Sequence, residues 1–344
     1  MAAVSWPDVF AQLLGGDHLS QSQARAVMGE IMAGEATDAQ IAAFLAILRT
    51  KGETAPEMTG FVEAMRSAAL TVAIDAPVVD LVGTGGDRAG TFNISTTAAL
   101  VAAGAGVKIA KHGNRAASSA TGSADLLEAL GIDLGMSPER SVRMVQEVGF
   151  GFFFAPGYHP AMRHAGPVRR QLGFRTVFNF LGPLCNPAGA RRYALGVSDP
   201  RMAELMIQVL TNLGAESAFV FYGEDGLDEL TTTGPSFIYR LRNGEITHAE
   251  FTPEDFGVAR AKLEDLQGGD AETNVAITHE ILEGGAGPKR DITLINAAPA
   301  IVAAGLADGF VEAMEIATWS VDSGRAKEVL EAAVTFSGGS GKND

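Results

Sequence analysis

The chain has 344 residues, 47% hydrophobic and 19% charged, which is typical of a globular enzyme of one large domain or two domains. Its formal net charge of −15 repels polyanions, so we expect no nucleic-acid partner. The single cysteine, Cys185, excludes an internal disulfide, and no apolar run approaches the ~20 residues of a membrane span. With no basic and apolar leader pattern at the N-terminus, we expect a cytoplasmic protein without a membrane partner.

Three capping boxes predict helix starts within the first 70 residues. In each, a hydroxyl can accept a hydrogen bond from the amide three residues on, while the later side chain reaches back. The pairs are Ser20 with Gln23, Thr37 with Gln40, and Thr54 with Glu57. Gly34 and Gly52 stand where the first two of these helices should end. These signals predict a small N-terminal helical domain over residues 1–75.

Strands and helices alternate after Pro77, which predicts a mainly parallel sheet with helices on both faces. Predicted strands cover 78–83, 107–111, 150–155, 192–197 and 218–223, and predicted helices cover 95–103 and begin near Ser123, Pro138 and Pro200. Asn243-Gly244 within 236–251 indicates a type I′ hairpin. Helices are predicted over most of 270–335. The second domain therefore spans residues 76–344 and belongs to the α/β class.

Two windows of this acidic chain, residues 88–124 and 148–198, contain no Asp or Glu. They hold ten of the 26 Lys and Arg residues. Two stretches with basic residues and no acids predict a positively charged pocket, which would concentrate an anionic small ligand.

The glycine-rich loop GTGGDRAGTFNIST (83–96) follows one predicted strand and opens a helix. Successive backbone amides and the helix N-terminus suit a phosphate or pyrophosphate. The loop is not a P-loop, because no Gly-Lys-Ser/Thr follows. It departs from the dinucleotide fingerprint at Arg88, and the acid that would hold a ribose is missing. A tight turn without a ligand remains the plain alternative.

A second polar cluster, KHGNRAASS (111–119), follows the strand predicted at 107–111. It should therefore lie at the same carboxyl edge of the sheet as the glycine loop, where open α/β sheets bind ligands. Lys111 and Arg115 offer charge, and His112 and Asn114 offer directional hydrogen bonds. His159 and His164 lack a Cys or carboxylate partner, so no zinc site is predicted.

GTGGD, TFNIST, KHGNRAASS, GSADLLEALG and RTVFNFLGPLCNPA resemble, in order, the signatures of the anthranilate phosphoribosyltransferase family. The resemblance covers nearly the whole chain. It implies transfer of phosphoribosyl from phosphoribosyl pyrophosphate (PRPP) to the amine of anthranilate, in tryptophan biosynthesis. It also implies a homodimer with the nucleoside phosphorylase-like fold, in which the segment near 160–187 packs back on the helical domain.

The resemblance also implies the site residues. Those expected to bind PRPP are Gly83, Gly85, Gly86, Asp87, Thr91, Asn93, Ser95, Thr96, Lys111 and Ser119. Those expected to bind anthranilate are Gly83, His112, Asn114, Arg169 and Pro183, with Arg169 facing the carboxylate. Ser95, Asp228 and Glu229 are expected to hold two Mg²⁺ ions per subunit. No residue is expected to act as a general acid or base, because a neutral aromatic amine is already nucleophilic. Cys185 is expected to be buried and unreactive.

Three other functions compete with this interpretation. A nucleoside phosphorylase of the same fold would use inorganic phosphate as the nucleophile. A non-catalytic nucleic-acid-binding module is disfavoured by the intact motifs and the net charge of −15. A nicotinamide-dependent oxidoreductase is disfavoured by the missing ribose-binding acid.

Overall fold

The computed structural model describes residues 4–116 and 120–338. The N-terminal region is a bundle of four helices: α1 (Trp6–Leu14), α2 (Gln21–Ala33), α3 (Asp38–Lys51) and α4 (Ala55–Ser67). All three predicted capping boxes form, at Ser20, Thr37 and Thr54, because each hydroxyl accepts from the amide three residues on. Gly34 ends α2 with a φ of 76°, as a left-handed C-cap requires.

The described chain then forms one seven-stranded sheet in the order β3-β2-β1-β4-β5-β6-β7. Its strands are β1 (Val79–Gly83), β2 (Ile109–Gly113), β3 (Phe150–Phe154), β4 (Arg192–Gly196), β5 (Ser217–Gly223), β6 (Ser236–Arg242) and β7 (Glu245–Phe251). The first five are parallel, and β6 and β7 are antiparallel. Asn243 and Gly244 join β6 to β7 with φ values of 54° and 81°, which confirms the predicted type I′ turn.

Helices cover both faces of this sheet, as the alternation predicts. They are α5 (Ile94–Gly104), α6 (Ser123–Ala129), α7 (Pro138–Val148), α8 (Ala155–Tyr158), α9 (Gly166–Leu172), α10 (Phe178–Leu181), α11 (Pro200–Asn212), α12 (Ala271–Leu282), α13 (Pro288–Ala304), α14 (Phe310–Asp322) and α15 (Arg325–Gly338). Short 3₁₀ turns lie at Pro160–Arg163, Gly182–Leu184, Pro253–Phe256 and Leu263–Leu266.

Alternate side chains of the central strands enter two separate hydrophobic cores. On β5, Phe219 and Phe221 pack with α5 and α13, whereas Ala218 and Val220 pack with the helical bundle and α11. This alternation is the period of two that a strand imposes. The central strands are therefore buried on both sides, and ligands can reach them only at the ends of the strands.

The segment from α8 to the turn Gly182–Leu184 lies against the helical bundle. Arg66 of α4 donates to the Leu184 carbonyl at 2.7 and 2.9 Å, and the Leu70 amide donates to the Tyr158 carbonyl at 2.8 Å. Both regions contribute to the same hydrophobic core. None of the described helices is long and apolar enough to cross a bilayer.

Candidate active site

The glycine loop connects β1 to α5 at the carboxyl edge of the parallel strands. Gly85 and Gly86 have φ values of 66° and 84°, a region that L-residues rarely occupy. Arg88, which replaces the last glycine of a dinucleotide fingerprint, still adopts a φ of 60°. At Gly85, Gly86 and Arg88 the loop therefore occupies the left-handed region of backbone conformation.

Side chains from elsewhere in the chain lie directly against this loop. A Cβ on Gly83 would overlap the Asp228 carboxylate, and a Cβ on Gly86 would overlap the Arg175 guanidinium. Two of its glycines are thus needed for close approach.

Asp228 and Glu229 follow β5, and backbone amides of the glycine loop and of α5 hold them. The Gly85 amide donates to Asp228 Oδ2 at 2.6 Å, and the Ser95 amide donates to Glu229 Oε1 at 3.1 Å. The exposed fractions of the two acids are only 7% and 8%. The structure therefore brings together all three residues predicted to hold metal, although they are far apart in sequence.

These acids lie in a crowded negative environment. Burial, followed by the charge of Asp87, raises the pKa of Asp228 to about 7. Burial and the charge of Asp228 raise the pKa of Glu229 well above its ordinary range. A bound cation would favour the ionised form of both carboxylates, and oxygen ligands of this kind suit Mg²⁺.

Within residues 4–116 and 120–338, no three His, Cys, Asp or Glu side chains form a ready-made metal site. A cation here would complete its shell with the Ser95 hydroxyl, water or substrate oxygens. Mg²⁺ is commonly held in that way, by one or two carboxylates plus phosphates.

Lys111 is a fully buried cation beneath the loop. Its Nζ donates to the Leu81 carbonyl at 2.5 Å and lies 3.4 Å from Ser95 Oγ. Burial lowers its pKa to about 8, although the charges of Asp80 and Glu229 oppose that shift. Lys111 therefore places positive charge beside the hydroxyl and the acids of the site.

Asn93 precedes α5 and is held by two side-chain hydrogen bonds. Its Nδ2 donates to the Thr121 carbonyl at 3.0 Å, and its Oδ1 accepts from Asn274 at 2.9 Å. Thr96 is buried in the first turn of α5, and Thr91 is partly exposed just before it. Ser119, also predicted to contact the phosphates, lies outside the described residues.

Asp80 and Asn186 form a buried polar connection that sequence reasoning missed. Asp80 accepts from the His112 amide at 3.2 Å and from Asn186 Nδ2 at 2.7 Å, and Asn186 also donates to the Ala110 carbonyl. Burial raises the pKa of Asp80 to about 7. The acid within the apolar run VVDLVG was the available signal. The connection fixes the end of β2 against the segment that follows Pro183.

A cavity of about 560 Å³ lies beside the end of β2, within the usual size of a small-molecule site. Its wall includes His112, Asn114, His159, Arg163, Arg169, Arg170, Phe178, Gly182 and Cys185. Three of the predicted anthranilate residues thus share one cavity. In the described part of the chain, Gly83 and Pro183 do not line it: Gly83 lies against Asp228, and Pro183 is buried behind Gly182.

Arg169, on α9, places its guanidinium 5.1 Å from the centre of the Phe178 ring. Burial lowers its pKa, but an arginine stays charged. No carboxylate among the described residues pairs with it, so the cavity contains a cation without a protein counter-ion.

His112 and His159 present two unpaired ring nitrogens at this cavity. Their ring centres are 5.0 Å apart, and His112 Nδ1 lies 3.2 Å from the Gly182 carbonyl, which can only accept. Burial and the neighbouring His159 lower the pKa of His112 to about 3, and burial lowers that of His159. His112 is therefore neutral with its proton on Nδ1. Nε2 of both rings is buried without a partner. Sequence reasoning considered His159 only as a zinc ligand.

The acid-free windows do not form the single positive pocket that the sequence predicts. Arg115 pairs with Asp125 at 2.8 Å, and Arg191 and Arg192 both pair with Glu216. These acids lie outside the windows but fold back onto their bases. The centre of the site is itself acidic, so the cations available to a ligand are fewer than the sequence indicates.

Cys185 is buried, and burial raises the pKa of its thiol to about 12. An almost fully protonated thiol is a poor nucleophile, in agreement with the sequence interpretation.

Two family models match this chain. One, described as a glycosyl transferase family helical bundle domain, matches residues 7–69. The other, described as a glycosyl transferase family a/b domain, matches residues 75–327. An anthranilate phosphoribosyltransferase of Moorella thermoacetica is 53% identical over 327 residues, which cover 95% of this chain and 96% of the relative. The chain belongs to the anthranilate phosphoribosyltransferase family.

Solved structures of this family have the same fold. The Thermus thermophilus protein is 45% identical, with a TM-score of 0.91 over 96% of this chain and 99% of its own. The Saccharomyces cerevisiae protein, in complex with PRPP and Mg, is 27% identical, with a TM-score of 0.89 over 98% of each chain. The yeast protein was also solved with 4-fluoroanthranilate, at 26% identity and a TM-score of 0.87 over 98% of each chain.

The comparisons confirm the resemblance that the motifs carried, and they confirm the fold class of a helical bundle followed by an α/β domain. The β1–α5 loop and the two buried carboxylates lie within residues 75–327, the part matched by the glycosyl transferase family a/b-domain model.

Proposed function

We propose that this protein transfers the phosphoribosyl group of PRPP to the amine of anthranilate, giving N-phosphoribosyl anthranilate and pyrophosphate, in tryptophan biosynthesis. The observation that carries this proposal is the meeting of a glycine loop, Lys111 and two buried carboxylates at one sheet edge. A cavity with an unpaired arginine lies beside them. Family membership supports the same activity.

The glycine loop and the start of α5 would receive PRPP. Backbone amides and the positive end of a helix dipole favour phosphoryl oxygens. The residues proposed to contact PRPP are Gly83, Gly85, Gly86, Asp87, Thr91, Asn93, Ser95, Thr96, Lys111 and Ser119. Lys111 supplies a positive charge close to Ser95, and because the side chain is buried, solvent screens that charge little.

Mg²⁺ is proposed as the cofactor, with two ions per subunit held through Ser95, Asp228 and Glu229. Bound Mg²⁺ supplies positive charge to the departing pyrophosphate. The chain itself supplies two acids that strongly disfavour joint ionisation without a cation. The amides of Gly85 and Ser95 fix where their oxygens lie.

Anthranilate is proposed to occupy the cavity, where His112, Asn114 and Arg169 form part of the wall. Gly83 and Pro183 lie outside that wall and are proposed as contacts on the family resemblance alone. The Arg169 guanidinium can hold the carboxylate in a two-point contact. The unpaired Nε2 atoms of His112 and His159 can accept hydrogen bonds from the amine. The carbon–oxygen bond to pyrophosphate breaks and the carbon–nitrogen bond forms, and the chain contributes mainly orientation and charge stabilisation.

A coupled experiment tests the activity: loss of anthranilate fluorescence with and without PRPP and Mg²⁺. We expect loss only when both are present, with pyrophosphate released in equal amount. Turnover of thymidine with inorganic phosphate, and none of anthranilate, would instead indicate a nucleoside phosphorylase.

The metal assignment is tested by the double variant Asp228→Asn with Glu229→Gln. We expect it to lose most Mg²⁺-dependent activity, because the two buried oxygen ligands lose their charge. Activity is titrated with Mg²⁺ at saturating substrates, with Arg143→Gln, an exposed substitution on α7, as the control. A Mg²⁺ titration that matches the wild type would contradict the assignment.

Three wider features remain proposals. We propose that the chain divides at residues 75 and 76, with the segment 160–187 belonging structurally to the helical side. A homodimer and a cytoplasmic location are proposed on the family resemblance, and the single buried cysteine is compatible with a reducing compartment.

A further inference from the structure

Arg175 lies in the connection between α9 and α10 and touches the glycine loop. Its guanidinium occupies the space that a side chain on Gly86 would need. Its Nη1 donates to Ser198 Oγ at 3.0 Å, and Ser198 Oγ donates in turn to the Gly85 carbonyl at 2.9 Å. Arg175 is therefore in direct contact with the loop proposed to hold PRPP.

Two of its three guanidinium nitrogens have no hydrogen-bond partner among the described residues. Nε and Nη2 are buried and make no hydrogen bond, and no carboxylate of residues 4–116 or 120–338 forms an ion pair with the guanidinium. Its flat face lies 5.1 Å from the centre of the Phe180 ring. Leaving charged N–H donors buried and unpaired is unfavourable, so this arrangement indicates a partner that arrives with a ligand.

The geometry of an arginine identifies the kind of partner. Nε–H and Nη2–H point in the same direction and form the side-on fork that binds two oxygens of one phosphate or carboxylate. The contact with Ser198 uses the other nitrogen, so the fork is left intact. A purely structural arginine would be expected to use the fork within the protein.

Acids lie near Arg175, so an anion would bind there more favourably if it arrived together with a cation that offsets those acids. Burial lowers the pKa of Arg175, and the nearby charges of Asp228, Asp199 and Asp87 oppose that shift, yet none of these acids pairs with the guanidinium. If a cation engaged these acids, the guanidinium beside Gly86 would remain positively charged and without a carboxylate partner. The acid-free window 148–198 supplies no competing carboxylate from the arginine's own segment.

We propose that Arg175 binds the pyrophosphate group of PRPP, and the released pyrophosphate, through Nε and Nη2. This inference rests on the proposed function. It makes Arg175 a substrate-binding residue beyond those that the family resemblance implies. Arg169 on α9 would then contact anthranilate, and Arg175, six residues later, would contact PRPP.

The test is titration of inorganic pyrophosphate, with Mg²⁺ present, into wild type and Arg175→Gln by calorimetry. We expect pyrophosphate affinity to fall about tenfold or more, as for loss of a charged two-point contact. The Michaelis constant for PRPP should rise similarly, and that for anthranilate should change less than about twofold. Arg175→Lys, which keeps the charge but loses the fork, should fall between the two, and Arg143→Gln should match the wild type.

Ser198→Ala separates binding from support of the loop. If Arg175 acted only through Ser198 and Gly85, this variant would reproduce the Arg175→Gln defect, and the proposal would be overturned. Wild-type pyrophosphate affinity in Arg175→Gln would overturn it too. If Arg175→Gln does not fold, Arg175→Lys decides by the same titration. Failure of the wild type to consume anthranilate would reject the proposed function. The pyrophosphate titration would still test whether Arg175 binds pyrophosphate.

Discussion

Arg169 is the residue whose substitution should separate the two substrates. Its guanidinium faces the cavity with His112 and has no carboxylate partner among the described residues. We expect Arg169→Ala to raise the Michaelis constant for anthranilate about 10–100-fold, the range for loss of a charged hydrogen bond, and to leave that for PRPP nearly unchanged. Steady-state kinetics with each substrate varied in turn measure this.

The neighbouring Arg170 is the matched comparison, because it is more exposed on the same helix. Its replacement by Ala should have a smaller effect on anthranilate. An equal loss for both substrates in Arg169→Ala would reject its role at the carboxylate.

Asp228 should make the metal-free protein less stable as pH rises. Burial raises its folded pKa to about 7 from an ordinary value of 3.8, so folding favours the protonated form. That stabilisation is complete below about pH 4 and is lost as pH rises through about 7. Asp228→Asn removes this titration while its side-chain oxygen can still accept from Gly85. The variant should therefore gain stability relative to wild type between pH 5 and pH 8.

Urea denaturation with a chelator at the two pH values checks this expectation. A stability difference between the two proteins that is the same at pH 5 and pH 8 would show that Asp228 is not the group that titrates.

At the residue scale, the sequence predicted contacts where a motif marked them and missed those set by folding. Asp228 and Glu229 were placed by their motif, and they accept hydrogen bonds from the Gly85 and Ser95 amides, respectively. Asp80 was missed, because an acid inside an apolar strand signals a buried polar group but does not identify its partner. Arg115 was expected to offer charge to the site, yet Asp125 neutralises it. Such pairings depend on which distant element packs nearby.

At the element scale, the helix starts differ in how much their capping residues should contribute. Thr54 donates to Glu57 Oε2 at 2.9 Å, and Glu57 is completely buried, where it also pairs with Lys51. The corresponding pair at Thr37 is exposed and neutral. We expect Thr37→Ala to lower the free energy of unfolding by about 1 kcal/mol and Thr54→Ala by about 2 kcal/mol, because a buried carboxylate loses a donor.

Denaturant unfolding of both variants measures the difference. Equal losses would mean that the buried acid is satisfied without the Thr54 hydroxyl. Either way, the pair compares the same capping motif in two environments within one bundle.

Most helices, strands and turns could be predicted, because the structure that short sequence signals favour is also the one that the fold requires. Capping boxes, the Asn243-Gly244 turn and Asp199-Pro200 each act over a few residues, and each forms as expected. The short helices α8, α9 and α10 were not predicted. They are too short to show a period of 3.6, and packing against the helical bundle stabilises them.

At the scale of the whole molecule, a net charge of −15 coexists with a site that is proposed to bind anions. The sequence placed positive charge in two windows, but folding pairs much of it with acids from outside them. What remains is a few buried or cavity-lining cations beside the two buried acids that are proposed to hold Mg²⁺. Local composition cannot predict this, because the balance is set by three-dimensional neighbours.

Arg66 connects the helical bundle to the cavity and provides a test of coupling across the molecule. It donates to the Leu184 carbonyl from two nitrogens and lies 3.2 Å from the Tyr193 hydroxyl. Leu184 shares a turn with Gly182, whose carbonyl holds His112. Arg66→Met keeps the apolar stem and removes the donors. We expect the Michaelis constant for anthranilate to rise several-fold, with a smaller change for PRPP, because the turn loses its anchor while the glycine loop does not.

Kinetics with each substrate, together with thermal unfolding, distinguish this coupling from a general loss of stability. Arg25→Met, at an exposed position on α2, is the matched control, because Arg25 approaches Glu63 only to 4.0 Å. A fall in stability with unchanged Michaelis constants would mean that Arg66 only joins the two regions. A selective rise for anthranilate would mean that the helical bundle helps to position the acceptor, because the turn it anchors forms part of the cavity wall.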